Sequence, residues 1–400
     1  MTYFARNPTP ATTAFGEASV SEASPVFQGI FEYTVDNTDL TTNTVANGGT
    51  VTQATGMALV GTSTTTASTA LLQSTRHLRY RSGQGAMAEF TTLFSAPVAA
   101  TEMYIGPADE VGSSAAFKNG YMLGYDGTTF GFHRFQNDVK ITVAVSAWDD
   151  PLDGTGASGM TIDLTKLNVW KIQFQYLGGG AQFISVEDDS TGAFVLVHTI
   201  LYANLNTAPS VYNPNFNHTI WANNAGTTSD MVIKSASYAY FIEGKTSFIE
   251  LHQPINSTGI VQKTTVTTET AICTIRVKAS YVSKSNFIDI CLLLLSGSIE
   301  ANAVNNLGSI RVVKNTALGG SPSYSDINTA NSVVEMDTAG TTLTGGVELF
   351  SFPLAGKNDK GSEAVGSYNI ILSAGDTVTV AGTSAASATI EAAMLWRELF

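Results

Sequence analysis

Alternation of apolar and polar residues is the dominant pattern along this chain. In residues 168–176, NVWKIQFQY, every second position from Trp170 to Tyr176 is a large apolar side chain, and lysine and glutamine stand between them. A period of two is what a strand with one buried and one solvated face requires. The stretch therefore predicts a half-buried β-strand.

Similar stretches recur with turn residues between them. Residues 124–135 predict a hairpin that turns at Asp126 and Gly127, and residues 186–200 predict another with its tip at Asp188–Gly192. Residues 194–200 are apolar on both faces, which predicts a strand covered on both sides. In residues 388–399, apolar side chains alternate from Ile390 to Trp396. A helix competes there because Ala, Met, Leu and Glu form helices well, but we favour a final strand.

The predicted fold class is all-β, because no long amphipathic helical pattern appears among the strand patterns. The simplest arrangement is two tandem antiparallel β-sandwiches of jelly-roll or lectin-like type, preceded by an extended N-terminal arm. We place the arm at residues 1–24, the lectin-like sandwich at 25–243 and the second, jelly-roll sandwich at 244–400.

Three arginines, Arg76, Arg79 and Arg81, lie within six residues of an otherwise acidic chain. If residues 77–94 form a hairpin, alternation places His77, Arg79 and Arg81 on its solvated side, where surface ion pairs are their ordinary partners. The alternative is an arginine pair that grips a carboxylate of a neighbouring subunit or of an acidic glycan. On the returning strand, residues 86–94, the alternate apolar positions predict a buried face.

Charge narrows the range of partners. The net charge is −13 and charged residues make up 13% of the chain, about half of the usual share. An acidic surface is poorly suited to phosphate backbones and to anionic lipid, so we expect neither nucleic acid nor membrane as a partner. No run approaches the roughly 18 apolar residues of a membrane helix, and we expect no secretory signal at the N-terminus.

Sequence motifs of catalysis are not found. The glycine-framed serine of hydrolases and the phosphate-binding glycine loop are both missing. Two acidic clusters, at 149–153 and 187–189, fall in predicted turns, where Asp side chains bond to the backbone. The histidines show no metal-binding spacing. We therefore expect no catalytic residue, no cofactor, no metal and no enzymatic activity; the histidines concerned are His77, His133, His198, His218 and His252.

Two features leave an alternative open. The loop that contains Asp149, Asp150 and Asp153 could hold calcium, although its spacing is not that of the common calcium loop; the other interpretation is a solvated turn. Cys273 alternates with apolar residues and is expected to be a buried reduced thiol, while a bridge to Cys291 on a neighbouring strand is the competing possibility.

The tryptophans raise the question of a sugar-binding platform. Trp170 and Trp396 fall on predicted core faces, whereas the other two lie near predicted loops. Packing is the commoner fate of a large aromatic side chain. If the chain recognises carbohydrate, the candidate residues are Trp148, Asp149, Asp150, Trp221 and Asn223.

Several stretches of the sequence resemble a family of β-rich virion structural proteins found in tailed phages and large double-stranded DNA viruses. The resemblance spans residues 45–400 and consists of strand-and-turn phrases with no catalytic signature, so it transfers no functional residue. The phrases are LRYRSGQGAMAEFTTLF (78–94), NGYMLGYDGTTFGFHR (119–134), and the segments 148–180, 191–216 and 309–346.

The resemblance implies a structural protein of the virus particle, exposed on the capsid or tail as a decoration, head fibre or spike component. Its partners would be other virion proteins and copies of itself, as a homotrimer, with host-surface glycans as a further class. We expect the arm to anchor it through Tyr3, Phe4 and Phe15, since extended arms order on binding. Carbohydrate recognition for host attachment is the alternative function, and a polysaccharide depolymerase is a third hypothesis that requires paired acids in a cleft.

Overall fold

The structure is a computed structural model that describes residues 22–35, 41–244, 254–301, 307–356 and 359–400. The chain divides into two compact units, Met1–Ser247 and Phe248–Phe400. The only helical segments among the described residues are two short 3-10 turns, Val145–Ala147 and Val365–Tyr368. None of the described residues forms a helix with the length and apolar character needed to cross a membrane. The predicted all-β class, with tandem antiparallel sandwiches, is confirmed.

The described residues of the first unit form sixteen strands. They are β1 Ala23–Ile30, β2 Thr41–Ala46, β3 Thr50–Ala54, β4 Met57–Gly61, β5 Thr69–Leu78, β6 Ala86–Phe94, β7 Glu102–Ala108, β8 Gly120–Asp126, β9 Thr129–Gln136, β10 Val139–Ala144, β11 Asn168–Phe174, β12 Gln182–Glu187, β13 Phe194–Ile200, β14 Phe216–Asn223, β15 Val232–Ser235 and β16 Ser237–Glu243.

These strands form two antiparallel sheets with a core between them. The nine-stranded sheet runs β13-β12-β11-β6-β15-β4-β3, and β16 with β1 joins the other end of β6; the seven-stranded sheet runs β10-β9-β8-β7-β14-β5-β2. Aromatic side chains from the two sheets meet in the core. Phe130 lies 5.8 Å from Trp170, and Tyr121 lies 5.0 Å from Phe174, between ring centroids. Such contacts make the unit a β-sandwich.

The second unit contains the remaining strands. They are β17 Ile255–Ser257, β18 Val261–Val266, β19 Thr270–Val277, β20 Ser280–Tyr281, β21 Lys284–Ser285, β22 Asp289–Ala301, β23 Leu307–Lys314, β24 Ala317–Gly319, β25 Tyr324–Asp326, β26 Val334–Asp337, β27 Thr342–Thr344, β28 Val347–Ala355, β29 Lys360–Glu363, β30 Ile371–Leu372, β31 Thr377–Ser384 and β32 Ala388–Leu399.

The long strands β22 and β32 form the centre of one sheet of this unit, with β17 and β18 beyond β32 and with β29 and β30 beyond β22. The facing sheet runs β25-β26-β19-β31-β23-β28. Between the sheets, Ile310 of β23 packs on Gly297 of β22, and a Cβ atom at residue 297 would come within 2.8 Å of it. This second unit is therefore also a sandwich, with a core as closely packed as protein interiors generally are.

One fully buried carboxylate links three segments of the second unit. Glu398 of β32 accepts hydrogen bonds from the Ser332 hydroxyl at 2.5 Å and the Val333 N–H at 2.9 Å. It also accepts from the Asn256 amide at 2.8 Å and the Trp396 indole N–H at 3.1 Å. With four donors, the buried charge is fully satisfied, as burial of a charge requires.

Several strand predictions are confirmed in detail. The alternate positions of β6 are buried from Ala86 to Phe94, and those of β11 are buried from Trp170 to Phe174. The last segment is a strand, β32, and not a helix. The predicted hairpins at Asp126 and at Asp188–Gly192 are β8–β9 and β12–β13. Among the cysteines, Cys273 is buried and both are reduced, and burial raises the pKa of the Cys273 thiol to about 12.

The hairpin predicted over residues 77–94 is wrong. β5 pairs with β14 and β2 in the seven-stranded sheet, while β6 pairs with β11, β15 and β16 in the other sheet. Residues 79–85 carry the chain across the sandwich. A register shift opposite β14 breaks the alternation in β5, so that His77 and Leu78 are both buried. Arg79 and Arg81 are half-buried, and burial, with the neighbouring charge of Arg79, lowers the pKa of Arg81.

Two smaller predictions also need correction. β13 is not covered on both sides, because it lies at the edge of its sheet and Leu196 is 49% exposed. β1 begins at Ala23, so the last two residues of the predicted arm belong to the sheet. Tyr3, Phe4, Phe15 and His252 lie outside the described residues.

Candidate functional site

The outer face of the seven-stranded sheet, which points away from the core of the first unit, carries an unusual group of side chains. Alternation places Ile105 and Ile220 in the core. Their neighbours Glu102, Tyr104 and Trp221 consequently point to the outer face. β7, which provides Glu102 and Tyr104, lies in the middle of the sheet between β8 and β14.

Two carboxylates and one ammonium group lie at one end of this face. Glu102 is the cross-strand partner of Asp126 on β8 and of Asn223 on β14, so these side chains stand side by side. Lys140 of β10 reaches across, with its Nζ 3.2 Å from Glu102 Oε1 and 2.9 Å from Asp126 Oδ1. We call Glu102, Asp126, Lys140 and Asn223 the polar cluster.

Trp221 borders the polar cluster and is fixed by two contacts. Its indole Nε1–H donates to Glu102 Oε2 at 3.4 Å, and its ring packs edge-on against Phe117 at 5.8 Å between centroids. The Asn223 amide donates to the same carboxylate oxygen at 3.0 Å. Trp221 is half-buried and packs against the cluster of buried apolar side chains on this face.

Two buried aromatic side chains, Tyr104 and His133, pack next to the polar cluster. Tyr104 is fully buried; its hydroxyl receives a hydrogen bond from Lys140 Nζ at 3.1 Å, and burial together with Glu102 raises its pKa far above the usual range. The His133 ring lies 4.7 Å from the Tyr104 ring. Its two nitrogens contact the Thr142 hydroxyl and the Gly124 carbonyl, each at 3.0 Å, and burial lowers its pKa to about 4.

The other end of the outer face is apolar and covered. The connection between β7 and β8, residues 109–119, folds back over the sheet and places Phe117 against Phe135 at 5.5 Å. We call this connection the cap loop. Met122 and Tyr104 belong to the same buried cluster. The cap loop closes one end of the face, so the polar cluster and Trp221 lie at the open end.

Two aspartates hold the cap loop in place. At its base, buried Asp109 accepts from the Asn119 backbone N–H at 2.7 Å and from its side-chain amide at 2.8 Å. Burial nevertheless raises the pKa of Asp109 to about 7. At its tip, Asp138 accepts from the Ser113 hydroxyl at 2.5 Å and from the backbone N–H groups of Ser113, Ser114 and Ala115, and these bonds lower its pKa, the hydroxyl bond most of all.

The hydrogen-bond capacity of each group indicates its role. A carboxylate offers about four lone-pair sites, and Glu102 already accepts from Lys140, Trp221, Asn223 and Tyr104. Glu102 is therefore a positioning residue. Asp126 is the most exposed charged residue of the polar cluster, with 38% of its side chain exposed, and lies at the end of β8. The surfaces left for a ligand are the Trp221 ring and the Asp126 carboxylate.

The five residues named from the sequence as a sugar site do not come together. Trp221 and Asn223 lie in the site just described. Trp148 is buried in the core, where its indole N–H donates to the Val143 carbonyl at 3.1 Å, so the prediction that it stands on a surface platform is wrong. Asp149 lies near it and bonds to His198 at 3.2 Å.

The acidic loop has internal partners for its carboxylates. Buried Asp150 accepts from the backbone N–H groups of Leu152 and Ser158, and Asp153 accepts from Thr155. Within the described ranges, no group of three or more His, Cys, Asp or Glu side chains is arranged to hold a metal ion.

Sequence reasoning missed Glu102, Asp126 and Lys140. Asp126 is predicted only as a turn residue, and Glu102 and Lys140 stand 38 residues apart on strands that are not neighbours. The single signal in the sequence is that both carboxylates lie at strand ends, where a polar side chain on the outer face is ordinary. Their convergence depends on the order of β7, β8, β9 and β10 in the sheet.

Comparison with known proteins assigns no family. No protein-family model matches the sequence, and no curated protein matches it. Among solved structures, lectin UEA-II complexed with galactose is 11% identical, with a TM-score of 0.36 over 55% of this chain and 99% of the lectin. A β-1,3-glucanase from Mycobacterium marinum is 12% identical, with a TM-score of 0.35 over 54% of this chain and 98% of the glucanase.

A third structure, from work on endo-acting O-glycanases of the human gut microbiota, is 10% identical, with a TM-score of 0.36 over 55% of this chain and 99% of that chain. At such identity the likeness concerns the fold alone. It nevertheless corrects one prediction. Sandwiches of this kind include proteins described as glycanases and glucanases. The expectation that this chain is not an enzyme, drawn from missing sequence motifs, is therefore withdrawn.

Proposed function

We propose that the outer face of the seven-stranded sheet binds saccharide, with Trp221 as the surface against which a sugar ring packs. Sugars present apolar C–H faces and rings of hydroxyl groups. Binding sites for such ligands combine an aromatic surface with a few fixed polar groups that set orientation. Trp221 supplies the first, and Asp126 supplies the second.

The observation that carries the proposal is that Trp221 is oriented before any ligand arrives. Its indole N–H is held by Glu102, and Phe117 of the cap loop supports its ring edge-on. Glu102 is itself held by Lys140 at 3.2 Å. A side chain fixed in this way loses little conformational entropy on binding, so more of the contact energy contributes to affinity.

A glycan array followed by titration calorimetry tests the proposal. The full chain should bind at least one class of saccharide, and Trp221→Ala should weaken that binding by about tenfold or more, since about 1.4 kcal/mol of lost stacking corresponds to that factor. Tyr212→Ala is the matched control, because Tyr212 is an aromatic residue that is 55% exposed and lies outside the site. Equal affinities of the two variants would contradict the proposal.

The same saccharides should be incubated with the wild-type chain and assayed for new reducing ends. Glycoside hydrolysis uses carboxyl groups that act on the substrate, and Asp126 is the carboxylate of this site that is left for a ligand. Release of reducing ends that is lost in Asp126→Asn would extend the proposal from binding to hydrolysis.

A second proposal follows from the resemblance of the sequence to virion proteins: that the chain is carried on the surface of a virus particle, joined to other virion proteins and to its own copies as a homotrimer. One observation favours a protein partner. Residues 201–212 expose Leu201, Leu205 and Tyr212, and grouped apolar side chains are typical of contact surfaces. Deletion of residues 1–22, which leaves β1 in place, should abolish incorporation, and particles that carry the truncated chain at normal copy number would argue against this role.

A further inference from the structure

We infer that the site selects neutral saccharides over acidic ones. This inference rests on the proposed function, because it concerns the same outer face and the same ligand class. It is drawn from the charges that meet beside Trp221.

The polar cluster carries one more negative than positive charge. Glu102 and Asp126 contribute two carboxylates, and Lys140 contributes one ammonium group that contacts both, at 3.2 and 2.9 Å. The ion pair of Glu110 with Lys118 on the cap loop adds no net charge. The chain as a whole, at −13, has the same sign as the site.

Lys140 is not available to a ligand carboxylate. Its ammonium group already contacts Glu102, Asp126 and the Tyr104 hydroxyl, the last at 3.1 Å, and only 25% of the side chain is exposed. Turning it toward a ligand would leave Glu102 without its cation, which is costly for a group that is only 18% exposed. A uronate stacked on Trp221 would instead meet Asp126.

The expected discrimination follows from Coulomb's law. Two like charges about 7 Å apart, one on the ligand and one in the site, repel each other. At an effective dielectric constant between those of a protein surface and water, this repulsion weakens binding by about threefold to tenfold. Salt screens exposed charges, so the difference should shrink as ionic strength rises.

Titration calorimetry with matched tetrasaccharides tests the inference: galactose against galacturonate, and mannose against mannuronate, at low and at high salt. The measured quantity is the ratio of the two dissociation constants within a pair. The wild type should prefer the neutral member by about threefold to tenfold. Asp126→Asn, which balances the cluster, should bring the ratio close to one, and Lys140→Gln should widen it.

Asp188→Asn is the matched control, because it removes the same charge from the turn between β12 and β13 in the opposite sheet; its ratio should equal that of the wild type. A wild type that prefers the acidic member overturns the inference. A ratio that is the same in all variants overturns it as well, while loss of binding in Trp221→Ala still supports the saccharide site. If neither member of any pair binds and no saccharide of the glycan array binds either, the proposed function fails, and the inference fails with it.

Discussion

Replacement of the buried Glu398 offers the sharpest test of the second sandwich. Its carboxylate accepts four hydrogen bonds, from Ser332, Val333, Asn256 and Trp396, and none of the side chain is exposed. Glu398→Ala would leave these donors buried without an acceptor. We expect a large loss of stability with the fold of the first unit unaffected.

The magnitude follows from the number and kind of bonds. A hydrogen bond to a charged group contributes about 1.5–3 kcal/mol, but the four donors share one carboxylate and relax together, so the contributions are not additive. Removing the charge also removes its desolvation penalty. We expect a net destabilisation of about 4 kcal/mol for Glu398→Ala and, because one acceptor oxygen is kept, about 2 kcal/mol for Glu398→Gln.

Urea unfolding of the full chain measures this, followed by far-ultraviolet circular dichroism and by tryptophan fluorescence. Trp396 donates to Glu398 at 3.1 Å and is the only tryptophan of residues 248–400, so of the four tryptophans in the chain it is the one whose emission should change when Glu398 is replaced. Glu391→Gln is the control, since Glu391 lies on the same strand, on the face opposite to the core, and should change stability by less than about 0.5 kcal/mol. A Glu398→Ala variant within about 1 kcal/mol of wild type would refute the reasoning.

Three further perturbations test other parts of the structure. Gly124→Ala should block folding of the first unit, because a Cβ atom there would overlap the Met103 carbonyl; Gly179→Ala, where the added Cβ would come no closer than 4.0 Å to Tyr202, is the control for melting temperature and soluble yield. Burial lowers the pKa of His133 to about 4 and that of His218 to about 3. Each histidine should therefore lower the free energy of unfolding by about 1.4 kcal/mol per pH unit as the pH falls below about 6.5, which a falling urea midpoint would show. Cys273 should react with a thiol reagent only on unfolding, because burial raises its pKa to about 12.

The sign of the pH effect follows from which state binds protons. Between about pH 4 and pH 6.5 the unfolded chain protonates both histidines and the folded chain does not, so stability falls with pH. Asp109 acts in the opposite direction, because its pKa is raised to about 7 in the folded chain. The stability that Asp109 gains as the pH falls offsets the loss caused by one histidine. In His133→Gln only His218 remains to oppose Asp109, so the urea midpoint of this variant should vary less with pH than that of the wild type. An equal dependence would contradict the assignment of His133 as a buried neutral group.

The buried face of a strand could be predicted residue by residue from the sequence. The buried positions of β6, β11 and β32 all follow from alternation, because side chains of a strand point to opposite sides whatever the strand pairs with. The hairpins of β8–β9 and β12–β13 were also accessible, since short turns with Asp and Gly determine local pairing.

Pairings between strands that are distant in the sequence could not be predicted in the same way. The segment from His77 to Phe94 has a hairpin's pattern, yet its two strands lie in opposite sheets. Trp148 follows a strand and precedes a polar loop, yet it is buried beside Trp170 at 6.2 Å between centroids. In both cases the outcome depends on which sheet the neighbouring chain joins, and the local pattern is the same for either choice.

The amino-acid sequence by itself determined the all-β class, the alternation within strands and the scarcity of charge. Only the tertiary structure decided that Glu102, Asp126, Lys140 and Trp221 meet on one outer face, next to the cap loop. The physical reason is that alternation acts between adjacent residues, whereas a site on a sheet depends on the order and register of strands, which are set by packing of the whole core.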